Sequence, residues 1–154
     1  MSLGMESQLK KLLETGDGIA ESLSYRFTRK RISEASLEDV YDGDELYKNW
    51  SAPGEPLSKP ENISLYWNTD GVPYGKTSHQ QIYPIYFMIN ELPPKLRVKN
   101  VLMVGIWVGK KKPNMEVVLQ PFVDECNKLS SDGFDWQHNG KKKSYPSNSY
   151  LLCC

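Results

Sequence analysis

The chain has 154 residues, enough for one ordinary domain with a real core. Lys+Arg and Asp+Glu balance at 19 each, so net charge gives no general pull on a polyanion, and nucleic-acid contact has to come from local patches. The 3 cysteines include two neighbours, which excludes a disulfide framework and fits a reducing compartment.

From the N-terminus, "MSLGMESQLKK" lacks the apolar core of a signal peptide. Within 6–15, Leu9, Leu12 and Leu13 recur at helical spacing, and Gly16 and Gly18 stop the pattern. Ile19, Leu23 and Phe27 predict a second short helix running into Arg29-Lys30-Arg31. Residues 37–60 are acidic, then rich in proline and glycine. Pro53, Pro56 and Pro60 predict a loop or linker. The composition therefore divides near residue 60: 1–60 as a helical and linker region, 61–154 as a sheet region.

Ile63, Leu65 and Trp67 alternate with Ser64, Tyr66 and Asn68, a period of two that predicts a strand. Residues 85–89, "IYFMI", predict a second strand, with Pro84 tolerated as its first residue. "VLMVGIWV" at 101–108 predicts a third, apolar on both sides and so buried on both. It is far too short to span a bilayer, and a soluble, intracellular chain follows as the expectation. After Pro113, Asn114 is a natural N-cap for a helix carrying Met115, Val118, Leu119, Phe122, Cys126 and Leu129 on one side. Pro121 lies inside it and should kink or shorten it, at about 3 kcal/mol unless packing compensates. Gly133 is the natural stop. "FDWQHNGKKKSYP" reads as a polar excursion or hairpin. "SNSYLLCC" then begins a fourth strand, and the chain stops on it. That ending predicts a fragment of a longer protein, with an apolar edge prone to self-association.

Strand, strand, strand, helix, strand implies an α/β mixed sheet: three antiparallel strands, then one parallel to its neighbour. This is the first half of a ribonuclease-H-like fold (β-β-β-α-β, truncated), preceded by short helices. In that arrangement the first strand and the strand after the helix run side by side, each offering an acid at its end.

Asp70 closes the first strand on an Asp-Gly turn. Turn chemistry alone accounts for the pair. The alternative is a carboxylate that holds a hard divalent cation, which needs oxygen ligands and at least one further acid. Other constellations are weaker. His79, His138 and the cysteines lack zinc spacing. "GKKKP" at 109–113 lacks the glycine spacing and the Ser or Thr of a phosphate-binding loop. Cys153-Cys154 reads as core packing, and Glu91 and Glu116 read as caps or surface charges. Arg29-Lys30-Arg31, Lys110-Lys111-Lys112 and Lys141-Lys142-Lys143 are each a solvated turn or a phosphate contact.

Several blocks in order carry a resemblance: Asn68 to Pro73 ("NTDGVP"), Tyr83-Pro84, Asn90 to Pro93 ("NELP"), Lys112-Pro113-Asn114-Met115, and Leu119-Gln120-Pro121-Phe122, with "DVYDGDELYKNW" at 39–50 upstream. Over residues 37–154 the chain resembles transposases of CACTA (En/Spm-like) DNA transposons, in the form found as transposase-domain proteins in animal genomes. Tyr74-Gly75-Lys76 departs from the usual sequence after the proline. The resemblance implies a DDE/D recombinase core, a nuclear location, and transposon-end and target DNA as partners. It implies Mg²⁺ or Mn²⁺ as cofactor and phosphodiester cleavage followed by strand transfer. Asp70 takes the place of the first catalytic, metal-holding acid, with Asn68 and Thr69 orienting it and Lys110, Lys111 and Lys112 on DNA phosphates. The second acid would follow "YLLCC", beyond Cys154. This chain alone is thus expected to bind metal weakly and to cut nothing. The alternative is a transposon-derived DNA-binding or interaction module without catalysis.

Overall fold

The computed structural model of the protein describes residues 3–15, 18–33, 35–43, 45–75, 80–147 and 151–153. In chain order the elements are α1 (Met5–Thr15), α2 (Ile19–Ser22), α3 (Tyr25–Thr28), α4 (Glu45–Trp50), β1 (Ile63–Thr69), β2 (Val72–Pro73), β3 (Gln81–Ile89), α5 (Pro94–Lys99), β4 (Leu102–Gly109), α6 (Met115–Asp132), β5 (Phe134–His138), β6 (Lys141–Tyr145) and β7 (Leu151–Cys153). Single 3₁₀ turns occupy Val40–Asp42 and Pro56–Ser58.

A five-stranded mixed sheet forms the centre, in the spatial order β4-β3-β1-β7, with the short β2 also on β3. β3 pairs antiparallel with β1 and β4, and β1 pairs parallel with β7, Ile63 opposite Leu151 and Leu65 opposite Cys153. Parallel neighbours need a long crossover, and the chain between β4 and β7 supplies it as α6 and the β5–β6 hairpin. The C-terminal ends of β1, β4 and β7 therefore lie at the same end of the sheet.

Alternation assigns the two sides. Leu65, Ile85, Phe87 and Ile89 face inward and join Leu9, Leu12, Leu13, Phe122, Cys126 and Leu129 in one core. Trp67 meets Phe122 of α6 with ring centroids 6.2 Å apart. Burial of each large apolar side chain stabilises the fold by about 1.5–3 kcal/mol, and Phe87→Ala, at 1% exposure, would cost about 3–5 kcal/mol. α1 is tied in by hydrogen bonds too. Its free N-terminal amides at Met5 and Glu6 donate to Glu125 Oε1 of α6, at 2.5 and 3.2 Å. The β3–β4 register shifts between Ile85 and Tyr86, and there the Val104 and Met103 carbonyls accept from Leu3 N and Gln8 Nε2.

Several expectations change. The helix predicted from Ile19 to Phe27 breaks at Leu23-Ser24 into α2 and α3, and Phe27 is 49% exposed. Residues 37–60 hold α4 and two 3₁₀ turns rather than bare loop. Pro84 lies inside β3, not at its start, because β3 begins at Gln81. β4 is not buried on both sides. Among the described residues it pairs only with β3; Val108 is exposed, and within β4 only Val104 and Gly105 are buried. α6 runs unbroken through Pro121, which is exposed, so the proline neither ends nor shortens it. Asn114 caps α6 as expected, its Oδ1 accepting from Glu116 N at 3.0 Å. Gly133 stops it at φ 69°, where a Cβ would meet Tyr145 O at 2.3 Å.

Candidate functional site

The end of β1 is shaped by a proline on its neighbour. Thr69 pairs with Ile85 and Val72 with Ile82, so Asp70 and Gly71 run past Pro84 and Tyr83. Pro84 has no N–H to donate, and the ladder lapses at that point. The lapse leaves Asp70 outside β1, exposed, with its Oδ1 accepting from the Gly71 amide at 2.7 Å. Gly71 fits under the Tyr83 ring: a Cβ there would lie 2.6 Å from Cζ. Tyr83 is buried, donates to Gln81 Oε1 at 2.9 Å, and meets Trp107 edge-on at 5.7 Å. An aromatic wall thus fixes the backbone that carries Asp70, and the blocks "NTDGVP" and Tyr83-Pro84 pack against each other. Beyond them Tyr74 N donates to Gln80 O at 2.9 Å and closes the arm that β2 begins.

Asn68 is exposed, and Thr69 Oγ1 is buried without a hydrogen-bond partner. Neither bonds Asp70 among the described contacts. Lys110, Lys111 and Lys112 are exposed on the turn after β4, at the same end of the sheet as Asp70, since Gly109 pairs with Gln81. Among the described residues no three His, Cys, Asp or Glu side chains form a group able to hold a metal ion. Asp70 offers one carboxylate there. A Mg²⁺ takes about six oxygens, usually one or two of them carboxylates, so Asp70 fits as a first ligand and not as a whole site.

The other basic runs are differently engaged. Arg29 grips Asp42 with two hydrogen bonds of 2.7 and 2.6 Å, and Arg31 Nε lies 3.0 Å from the same carboxylate. Arg29 and Arg31 are therefore committed to Asp42 rather than open to phosphate. The Arg29 guanidinium holds the Asp42 carboxyl well below the usual range, against the opposing effect of burial. Lys142 pairs with Asp135 at 2.6 Å. His138 lies 2.9 Å from Glu21, and Cys126 is a buried core residue. The expectations placed on Lys76, His79, the Cys153 side chain and Cys154 lie outside what is described.

Glu91 is neither a cap nor a surface charge. It is fully buried, accepting from Ser64 N at 2.8 Å, Ser64 Oγ at 2.9 Å and Tyr41 Oη at 3.0 Å, with Arg26 Nη1 at 3.3 Å. Burial pushes its pKa up, opposed by the Ser64 bonds and the Arg26 charge. Tyr41 is likewise raised, by burial and by the Glu91 charge. Next to it, Asn90 Nδ2 donates to Tyr47 Oη, and its carbonyl accepts from Arg97, which also holds Asp39. "NELP" is thus the knot that fastens residues 26–62 over the lower outer side of β1. A glutamate following an apolar strand gave only a faint hint of this, because its partners are far away in sequence.

No protein-family profile, curated protein or solved structure matches this chain.

Proposed function

We propose that this chain is part of the catalytic core of a DDE/D-type DNA transposase of the CACTA (En/Spm-like) kind, with a ribonuclease-H-like sheet and Asp70 as its first acid. The observation that carries the reading is the parallel pairing of β1 with β7, with Asp70 exposed just past the C-terminal end of β1. In a two-metal nuclease, two strands side by side each deliver a carboxylate at this end. The packing of "NTDGVP" on Tyr83-Pro84 adds support, since two blocks of the resemblance then serve one purpose.

Asp70 would give a bound metal one carboxylate oxygen, with the Gly71 N–H holding Oδ1. Thr69, the last residue of β1, precedes Asp70, and Asn68 lies one residue further back. Lys110 to Lys112 draw the phosphate backbone to this end, a contact that weakens steeply with salt. Bound Mg²⁺ would stabilise the attacking and leaving oxygens of the phosphodiester. A nuclear location and DNA partners follow from the same reading.

Asp70 accepts one described hydrogen bond, from its own turn, and among the described residues no group of three or more metal-ligating side chains includes it. That favours, for these residues by themselves, the second reading: a transposon-derived DNA-binding or interaction module that does not cut. The test is to express the chain with whatever its gene encodes past Cys154. The transposase reading requires an acid within the next few residues, beside Trp67 to Asp70. It also requires Mg²⁺-dependent cleavage by the longer chain, abolished by Asp70→Asn. An open frame without that acid, or a stop codon, assigns the second reading. Nicking by the 154 residues themselves contradicts the count of ligands.

A further inference from the structure

Residues 26–62 cover only the lower part of the outer side of the sheet. Above Ser64 the described residues leave part of that side exposed. Alternation places Tyr66 and Asn68 of β1, Val72 of β2, Ile82, Tyr86 and Met88 of β3, and Val108 of β4 upon it. Tyr66 is 46% exposed, Tyr86 40% and Val108 51%, although β1 and β3 lie inside the sheet. Tyr66 stands opposite Met88 and Tyr86 opposite Asn68, so the two tyrosines are diagonal neighbours on adjacent strands. Such neighbours lie about 7–8 Å apart, close enough for successive planar groups to stack on both. From Ile82 to Met88 that side of β3 runs about 20 Å at 3.3 Å per residue, with Tyr86 exposed, Ile82 and Met88 half-buried and Pro84 buried. At its upper edge, just past Val108, stand Lys110, Lys111 and Lys112, exposed and without an ion pair among the described residues.

We propose that this partly exposed sheet face is a stacking platform for single-stranded DNA, with Tyr66 and Tyr86 taking two successive bases and Lys110 to Lys112 taking phosphates a few nucleotides further along the strand. Flat aromatic rings on neighbouring central strands, with exposed lysines about 17 Å further along the same side, match the two parts of a single strand: apolar base planes and a charged backbone. A second copy of the chain would match the apolar part alone and would bring like-charged lysines to the same edge. The choice of DNA over RNA rests on the transposase reading. The platform itself does not, because it needs neither a metal nor Asp70.

The experiment is anisotropy of a labelled 12-mer of deoxythymidine with the full chain in EDTA, alongside the duplex and the matching uridine 12-mer. Saturable binding of the DNA single strand, tighter than either competitor, is expected. Tyr66→Ala and Tyr86→Ala should each weaken it about fivefold or more, while Tyr66→Phe and Tyr86→Phe retain it. Replacing Lys110 to Lys112 by serine should flatten the salt dependence by about 0.7 per lysine in log–log slope. Absence of binding, equal or tighter binding of the duplex or RNA, or indifference to both alanine variants overturns the proposal. So does self-association abolished by those variants with no DNA bound. Because EDTA removes any metal, failure here leaves the cleavage test of Asp70 standing, and failure there leaves this one.

Discussion

Gly71 lies so close beneath Tyr83 that a methyl group at position 71 would sit 2.8 Å from the tyrosine oxygen and 2.6 Å from Cζ. Tyr83 cannot withdraw freely, because it is buried and braced by Trp107 and Gln81. Gly71→Ala should therefore cost about 1–3 kcal/mol as an overpacking change. Tyr83→Leu in the same chain should restore much of that loss, because it removes the clash. Urea unfolding of the single and double variants, read as a coupling energy, checks it. Additive costs would show that the glycine does not seat the ring.

Glu91 should be the most sensitive carboxylate in the chain. Glu91→Ala strands the buried Arg26 charge and should destabilise by about 3–5 kcal/mol in denaturant unfolding. Its pH effect has a definite sign. The folded pKa is raised above the ordinary 4.5, so the folded state holds the proton more tightly than the unfolded chain. Glu91's contribution is fullest below 4.5 and declines as pH rises through the folded value. Glu91→Gln should remove that decline, measured as unfolding midpoint against pH.

Asp42 should act in the opposite sense. Its folded pKa lies below the ordinary 3.8, with the Arg29 hydrogen bonds as the largest cause. The stability that the clamp on Arg29 and Arg31 contributes is full above that value and is lost as pH falls from there through the lower folded value. Acid titration of Asp42→Asn, followed by circular dichroism, should show a shallower loss of stability below about pH 4 than the parent chain. An unchanged acid limb would exclude Asp42 as its source.

Those two carboxylates also mark what a sequence can disclose. The period of β1, the N-cap at Asn114 and the stop at Gly133 are local, and each was legible before any coordinates. So was the relation of β1 to β7, because a helical crossover between strands calls for a parallel arrangement. Glu91 and Asp42 were not legible. Their meaning depends on Arg26, Tyr41, Arg29 and Arg31, which only tertiary structure brings near. Pro84 misled for the same reason: a proline is tolerated mid-strand where its missing N–H faces a gap in the pairing, and only the register places Asp70-Gly71 at that gap. The apolar run of β4 suggested burial on both sides, but composition does not say which strand stands at the sheet edge. For the candidate site, Asp70 at a strand end was readable. The tyrosine that fixes its turn and the partly exposed face beside it were not.

The arm beyond Asp70 gives a simpler expectation. Tyr74 N–Gln80 O closes it, and Val72 and Pro73 extend the sheet past the lapse at Pro84. Pro84→Val would supply the missing N–H and extend pairing toward Asp70. Hydrogen exchange at Gly71 and Val72 should slow, with little change in Phe87. Equal slowing throughout β3 would mean general stabilisation instead.

The central claim is that Asp70 seats a divalent cation beside the path of β7. Titration of the isotope-labelled chain with Mn²⁺, read as amide line broadening, tests it most directly. The account predicts weak, millimolar-range broadening that begins at Thr69, Asp70 and Gly71, reaches Tyr83 and Ile85 on the facing strand next, and disappears in Asp70→Asn. Broadening centred elsewhere, or undiminished by that substitution, would contradict it.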